Sequence, residues 1–180
     1  MQKVLTPEAQ TTADMMVVFA DLTGYLNQSR RDEEKRLELL AETMDLLYER
    51  MASHVAAGGG RVVKFIGDAL LAVFPEDAVE RGVREMVRMK DDVETWLGTR
   101  GWKSRLVVKA HFGTLMAGPF GPKGDKRFDV IGSTVNIAAT LEGGELILSP
   151  QVFRKLSPEA RNDFRKHTPA TVYVLGRRAP

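Results

Sequence analysis

Asp21, Asp68, Lys64 and Asp129 stand out in this sequence of 180 residues because each sets a charge against an apolar run. Asp21 closes the run Met15 to Ala20 within Phe19-Ala20-Asp21-Leu22-Thr23-Gly24-Tyr25, where the backbone amides of a strand-to-helix turn can face an anion. Asp68 occupies the tight turn Ile66-Gly67-Asp68. Two carboxylates at the ends of neighbouring strands can jointly hold Mg²⁺, a hard cation that takes one or two protein carboxylates plus phosphate oxygens. Each also has a plainer reading, Asp21 as a helix cap and Asp68 as a turn residue. Lys64 interrupts Val62-Val63 and Phe65-Ile66 in a strand that otherwise looks buried. A buried ammonium is costly unless paired, so Lys64 either has a partner or snorkels from an edge. Asp129, between Phe128 and Val130-Ile131, is the mirrored oddity. A Lys donor and an Asp acceptor together suit the edge of a purine whose exocyclic group is an amine.

The elements that carry these residues follow from periodicity. Met15 to Ala20 lacks a helical repeat and predicts a central strand buried on both faces. From Leu37, apolar residues at Leu40, Ala41, Met44, Leu47, Tyr48, Met51 and Val55 lie on one face of a long helix that Gly58-Gly59-Gly60 stops. Residues 61–65 and 69–74 predict a hairpin ended by Pro75, residues 79–97 a second amphipathic helix, and residues 105–112 a fourth strand. The order β-α-β-β-α-β predicts an α+β fold with a ferredoxin-like core, an antiparallel sheet with both helices on one face. The Gly- and Pro-rich stretch 118–125 predicts an arm or hairpin projecting from the core, with strand pattern resuming at 127–131. A short helix at 133–141, a strand at 145–148, a helix start at Ser157-Pro158-Glu159 and a strand at 171–175 complete one domain, 14–175, between tails 1–13 and 176–180.

Composition narrows the chemistry. There are 26 Lys and Arg against 24 Asp and Glu, a formal net charge of +2 with the signs interleaved. A nucleic-acid or anionic-membrane binder would show a basic block, and Arg30-Arg31-Asp32-Glu33-Glu34-Lys35-Arg36 neutralises itself. With no cysteine, disulfides, thiolate metal sites and Cys nucleophiles are excluded. The longest apolar runs fall far short of the roughly 20 residues that span a bilayer, and the polar start lacks a signal peptide's apolar core, so the expectation is a cytoplasmic protein.

Four motifs in order resemble those of the class III nucleotidyl cyclases, which turn ATP or GTP into the 3′,5′-cyclic monophosphate and pyrophosphate. Phe19 to Tyr25 resembles the family's first metal motif and Lys64-Phe65-Ile66-Gly67-Asp68 its Lys-x-x-Gly-Asp hairpin. His111-Phe112-Gly113 resembles its His-x-Gly strand end, and residues 129–139, Asp129-Val130-Ile131-Gly132-Ser133-Thr134-Val135-Asn136-Ile137-Ala138-Ala139, its Asp-x-x-Gly-x-x-Val-Asn-x-Ala signature. The resemblance covers nearly the whole chain. It implies that Asp21 and Asp68 ligate two ions, Mg²⁺ or Mn²⁺, that Lys64 and Asp129 select the base, and that Asn136 orients the ribose. Leu22, Thr23, Gly24 and Tyr25 would border the triphosphate. It implies a head-to-tail homodimer with sites shared between subunits, metal ligands from one and base and ribose contacts from the other. Lys with Asp is the family's adenine-type pair, so ATP is the expected substrate, and neither nucleic acid nor membrane is an expected partner.

Two positions depart from the family pattern. One helical turn after Asn136, the family places an arginine that binds the α-phosphoryl oxygens in the transition state, and this chain has Thr140. Val107, four before His111, stands where many members have a triphosphate-binding arginine; Arg105 and Lys109 share its strand face by alternation and are the candidate replacements. The resemblance therefore supports two functions: an adenylyl cyclase in cyclic-nucleotide signalling, slowed at Thr140, or an impaired cyclase-like module that binds nucleotide or dimerises and regulates a partner.

Overall fold

The computed structural model describes residues 8–23, 33–168 and 171–176. Strand β1, Thr11–Leu22, is the spine: Met15, Met16, Val17 and Val18 are wholly buried, so the strand is covered on both faces as its unbroken apolar run requires. Its neighbours are β3, Ala69–Pro75, and β4, Leu106–Phe120, both antiparallel to it. Helix α1, Glu33–Ala57, leads into β2, Arg61–Ile66, which pairs with β3; a 3₁₀ turn at Glu76–Ala78 leads into α2, Val79–Thr99. Beyond β4 come β5, Arg127–Ile131, α3, Ser133–Thr140, and β6, Leu146–Leu148. Two short helices, α4, Pro150–Phe153, and α5, Pro158–Arg161, precede β7, Phe164–His167, and β8, Val172–Leu175. The sheet has eight strands in the order β2-β3-β1-β4-β6-β8-β7, with β5 pairing β4. Its first four strands have the antiparallel arrangement expected of a ferredoxin-like core.

Alternation along β1 divides the interior in two. Met16, Val18, Ala20 and Leu22 face α1 and α2, meeting Leu47 and Met51 of α1 and Val83, Met86 and Val93 of α2. Met15 and Val17 face the other way, into a second cluster with Leu71, Val73, Leu115, Ala117, Val130 and Ala138. This second layer, formed by β5 and α3, is the face on which the chemistry gathers.

Several expectations need correction. β1 begins at Thr11, inside the stretch read as a tail, because its ladder with β4 runs from Thr11↔Ala117 to Leu22↔Leu106. β4 starts at Leu106 and absorbs Gly118 and Pro119, so the arm is a β4–β5 hairpin that folds back, with Val130 buried in the second core. β2 is an edge strand, half-buried to exposed along its length, and not the buried strand expected around Lys64. β6 runs parallel to β4, β7 carries no pattern that announced it, and α4, which sequence reading missed, starts at Ser149-Pro150 with the same Ser-Pro cap as α5. Among the described residues no helix is long and apolar enough to cross a membrane.

Candidate active site

Asp21 is the last outward residue of the β1 face that carries Met15, Val17 and Phe19, and it sits opposite Val107 of β4. Asp68 lies in the β2–β3 turn, where Gly67 takes φ +61°, a backbone region that glycine enters without strain. The turn is held from below. Tyr48 of α1 stacks on Phe65 of β2, with ring centroids 4.0 Å apart, and its hydroxyl donates to the Gly67 carbonyl at 2.5 Å. Sequence reading placed Tyr48 only on the core face of α1, since nothing local links it to a turn 19 residues away. Burial pushes the Asp68 carboxyl above the usual carboxylate range and the negative charge of Asp21 adds to that rise, while a bond from its own backbone N–H opposes it. Neither carboxylate has an ion-pair partner among the described residues. Two hard-oxygen donors whose charges act on each other suit Mg²⁺ or Mn²⁺.

Lys64 and Asp129, 65 residues apart, meet at 2.5 Å between Nζ and Oδ2. A bulge in β2 makes this possible: the register with β3 slips between Val62 and Lys64, so Val63 and Lys64 both turn towards the second core. Asp129 is fixed from its own strand, its Oδ1 accepting from the Val130 N–H at 2.8 Å. Arg61 adds a second tie between β2 and β5, its guanidinium 3.8 Å from the centre of the Phe128 ring. The side chains of Lys64 and Asp129 remain 43% and 30% exposed, within reach of a ligand. Lys64 is thus both paired and at a rim.

Asn136 projects from α3 into solvent and Thr140 ends that helix. The Thr140 hydroxyl bonds back to its own helix, donating towards the carbonyls of Asn136 at 3.0 Å and Ile137 at 3.2 Å. His111, opposite Val17, is buried; among the described residues its Nδ1 has no partner, and burial holds its pKa below the ordinary histidine value.

The remaining expected residues divide. Lys109, opposite Phe19, belongs to the site face, and its Nζ donates to the Ala139 carbonyl at 3.1 Å. Arg105 lies outside β4 and is drawn away, its Nη1 bonding Glu94 of α2 at 3.1 Å on the helix side; strand alternation does not reach it. The Leu22 side chain is buried in the helix-side core. The Thr23 amide is engaged by the Arg105 carbonyl at 2.8 Å, extending the β1–β4 ladder, so it does not face an anion. Gly24 and Tyr25 lie outside the described residues.

Comparison with known proteins identifies the family and the fold. The family model "Adenylate and Guanylate cyclase catalytic domain" matches residues 7–179. Adenylate cyclase 2 of Rhizobium meliloti is 28% identical over 158 residues, covering 81% of this chain and 42% of that protein. The chain thus spans under half the length of the curated relatives it matches. The adenylyl cyclase CyaB from P. aeruginosa superposes with a TM-score of 0.72 at 18% identity, over 95% of this chain and 97% of that one. A class III adenylyl cyclase-like ATP-binding protein from Pseudomonas aeruginosa gives 0.71 at 19% identity, over 91% of this chain and 39% of that one. With the family model matching almost end to end and the fold shared, this chain belongs to the class III adenylyl and guanylyl cyclase catalytic domain family.

Proposed function

We propose that this chain converts ATP to 3′,5′-cyclic AMP and pyrophosphate, in cyclic-nucleotide signalling, as a homodimer whose two sites lie between subunits. The observation that carries this reading is the meeting of Lys64 and Asp129 on the sheet face that presents Asp21. Lys64 donates to the purine ring and Asp129 accepts from the exocyclic amine. Guanine offers a carbonyl where adenine has the amine, which leaves Asp129 facing an acceptor; a site with matched hydrogen bonds rejects such a partner. Asn136 orients the ribose so that its 3′-oxygen lies in line with the α-phosphorus. Asp21 and Asp68 hold the metal ions. Two Mg²⁺ or Mn²⁺ ions, when bound there, acidify the 3′-hydroxyl and neutralise the triphosphate. Most of the protein's contribution is then positioning and electrostatics.

Thr140 favours a second reading, since its hydroxyl is turned onto its own helix and offers no charge to a phosphate. On that reading the domain binds ATP, as the name of the ATP-binding structural neighbour says of that protein, and regulates a partner. Incubation with Mn²⁺-ATP and separately with Mn²⁺-GTP, following cyclic product, decides between them. The expected result is cyclic AMP in excess of cyclic GMP, abolished by Asp21→Ala. ATP binding without product supports the regulatory module, and preference for GTP overturns the role of the Lys64–Asp129 pair.

A further inference from the structure

The turn that carries Asp68 has little around it to hold it. β2 is an edge strand, its ladder with β3 closes at Ile66↔Ala69, and a β-carbon built on Gly67 would meet nothing within 4 Å among the described residues. A ligand for a hard divalent cation needs firmer placement, because Mg²⁺ tolerates little error in where its oxygens stand. The support comes from α1. The Tyr48 hydroxyl donates to the Gly67 carbonyl at 2.5 Å, and its ring stacks on Phe65 with centroids 4.0 Å apart. Tyr48 is itself well anchored, since Leu47 beside it and Met51 one turn later are wholly buried in the helix-side core.

The β2–β3 hairpin is therefore held from opposite faces. Lys64 is tied to Asp129 of β5 at 2.5 Å, whereas Phe65, the next residue, packs on the helix side with Tyr48. On the homodimer reading Lys64 and Asp68 serve different sites, and two separate anchors let one hairpin serve both. A bond to the Gly67 carbonyl fixes the planar peptide that joins Gly67 to Asp68, and with it the direction in which the Asp68 side chain leaves the backbone. Gly67 is exposed, so water can satisfy its carbonyl once the phenol is removed. Water restores the hydrogen bond but not the aim.

We propose that Tyr48 is a positioning residue of the metal site, its hydroxyl fixing the Gly67 peptide and through it the aim of the Asp68 carboxylate. This rests on the reading of Asp21 and Asp68 as metal ligands. Tyr48 acts only through Asp68, and groups that orient a ligand from behind typically account for about 10- to 100-fold in metal affinity or activity. Displacing α1 consequently alters the metal half-site and leaves the Lys64–Asp129 pair in place.

The test compares wild type with Tyr48→Phe, which keeps the stacked ring and loses only the hydroxyl, and with Thr43→Val, which removes a buried hydroxyl that bonds the Leu39 carbonyl within α1, away from the turn. Three quantities are read: amide hydrogen exchange across residues 65–70 in the metal-free protein, the Mn²⁺ dependence of turnover with ATP and with GTP, and calorimetric binding of Mn²⁺-ATP. Tyr48→Phe should speed exchange in the turn, raise the Mn²⁺ needed for half-maximal turnover about tenfold, weaken Mn²⁺-ATP binding, and leave the ATP-to-GTP preference unchanged. Thr43→Val should leave the exchange of the turn and the Mn²⁺ dependence as in wild type, whatever it does to the melting temperature. The proposal is overturned if Tyr48→Phe matches wild type, if Thr43→Val shares its defect, or if the base preference shifts with the metal dependence. If wild type makes no cyclic product but Tyr48→Phe still loses Mn²⁺-ATP binding, the cyclase reading falls and the positioning role stands. If Asp68→Ala binds Mn²⁺-ATP like wild type, or wild type binds none, the metal assignment and the role of Tyr48 fall together.

Discussion

At the scale of single residues, Asp68 stands in a setting that opposes its own charge. Its carboxyl is raised by burial and by Asp21, so the folded protein holds a proton there over a range where the unfolded chain has released it. Stability from this group is full below the ordinary carboxylate pKa and is lost as pH rises through the higher folded value. Asp68→Asn should therefore raise the melting temperature of the metal-free protein at neutral pH while removing Mn²⁺-dependent turnover, both read by a thermal melt and an activity assay. A fall in melting temperature would show that the strain is not there. Thr140 calls for the reverse change. An arginine at that position gives α3 a transition-state contact, so Thr140→Arg should raise kcat about tenfold for each 1.4 kcal/mol recovered, with little change in KM. Asp21, Lys64, Asp68 and Asp129 were legible because a charge beside an apolar run is conspicuous. That Arg105 turns to the helix side while Lys109 stays on the site face was not, because it depends on Glu94 reaching from α2 to take Arg105.

Elements show where periodicity suffices and where it fails. α1 and α2 carry long repeats, and the structure forms helices there, whereas β1 extends beyond its apolar run back to Thr11. β7 has the sequence Phe-Arg-Lys-His with a single buried residue, so no alternation marked it as a strand. The β2 bulge was equally hidden, since a register slip depends on the partner strand. β4 offers a test at this scale. It carries His111 buried, with Nδ1 unpartnered among the described residues, and burial favours the neutral ring. The unfolded chain then binds the extra proton first, so stability is complete above the ordinary histidine pKa of about 6.5 and declines as pH falls below it towards the lower folded value. Denaturant titrations across that interval should show the decline in wild type and a flatter profile in His111→Gln. Identical profiles would place the pH sensitivity elsewhere.

For the whole molecule, the question is how one face of one sheet supplies two half-sites. Met116, Ile131 and Ile137 leave apolar surface exposed around α3 and the β4–β5 hairpin, beside the exposed Asn136. If sites form between subunits, Asp21→Ala and Asn136→Ala break opposite halves, and each alone should be inactive. Mixing them in equal amounts lets half the dimers pair unlike chains, each with one intact site, so about a quarter of wild-type activity should return. No recovery after subunit exchange would confine the site to one chain. The Lys64–Asp129 contact has a further consequence for this assembly. On the proposed reading each of these groups is already the other's ligand, so an arriving base must displace an intramolecular competitor. Tethered partners face each other at effective concentrations of millimolar or more. A base that satisfies only one of them leaves the other stranded and is expelled by the pair re-forming. Discrimination is thus exercised by the resting site itself, at the expense of affinity for every nucleotide, correct or not.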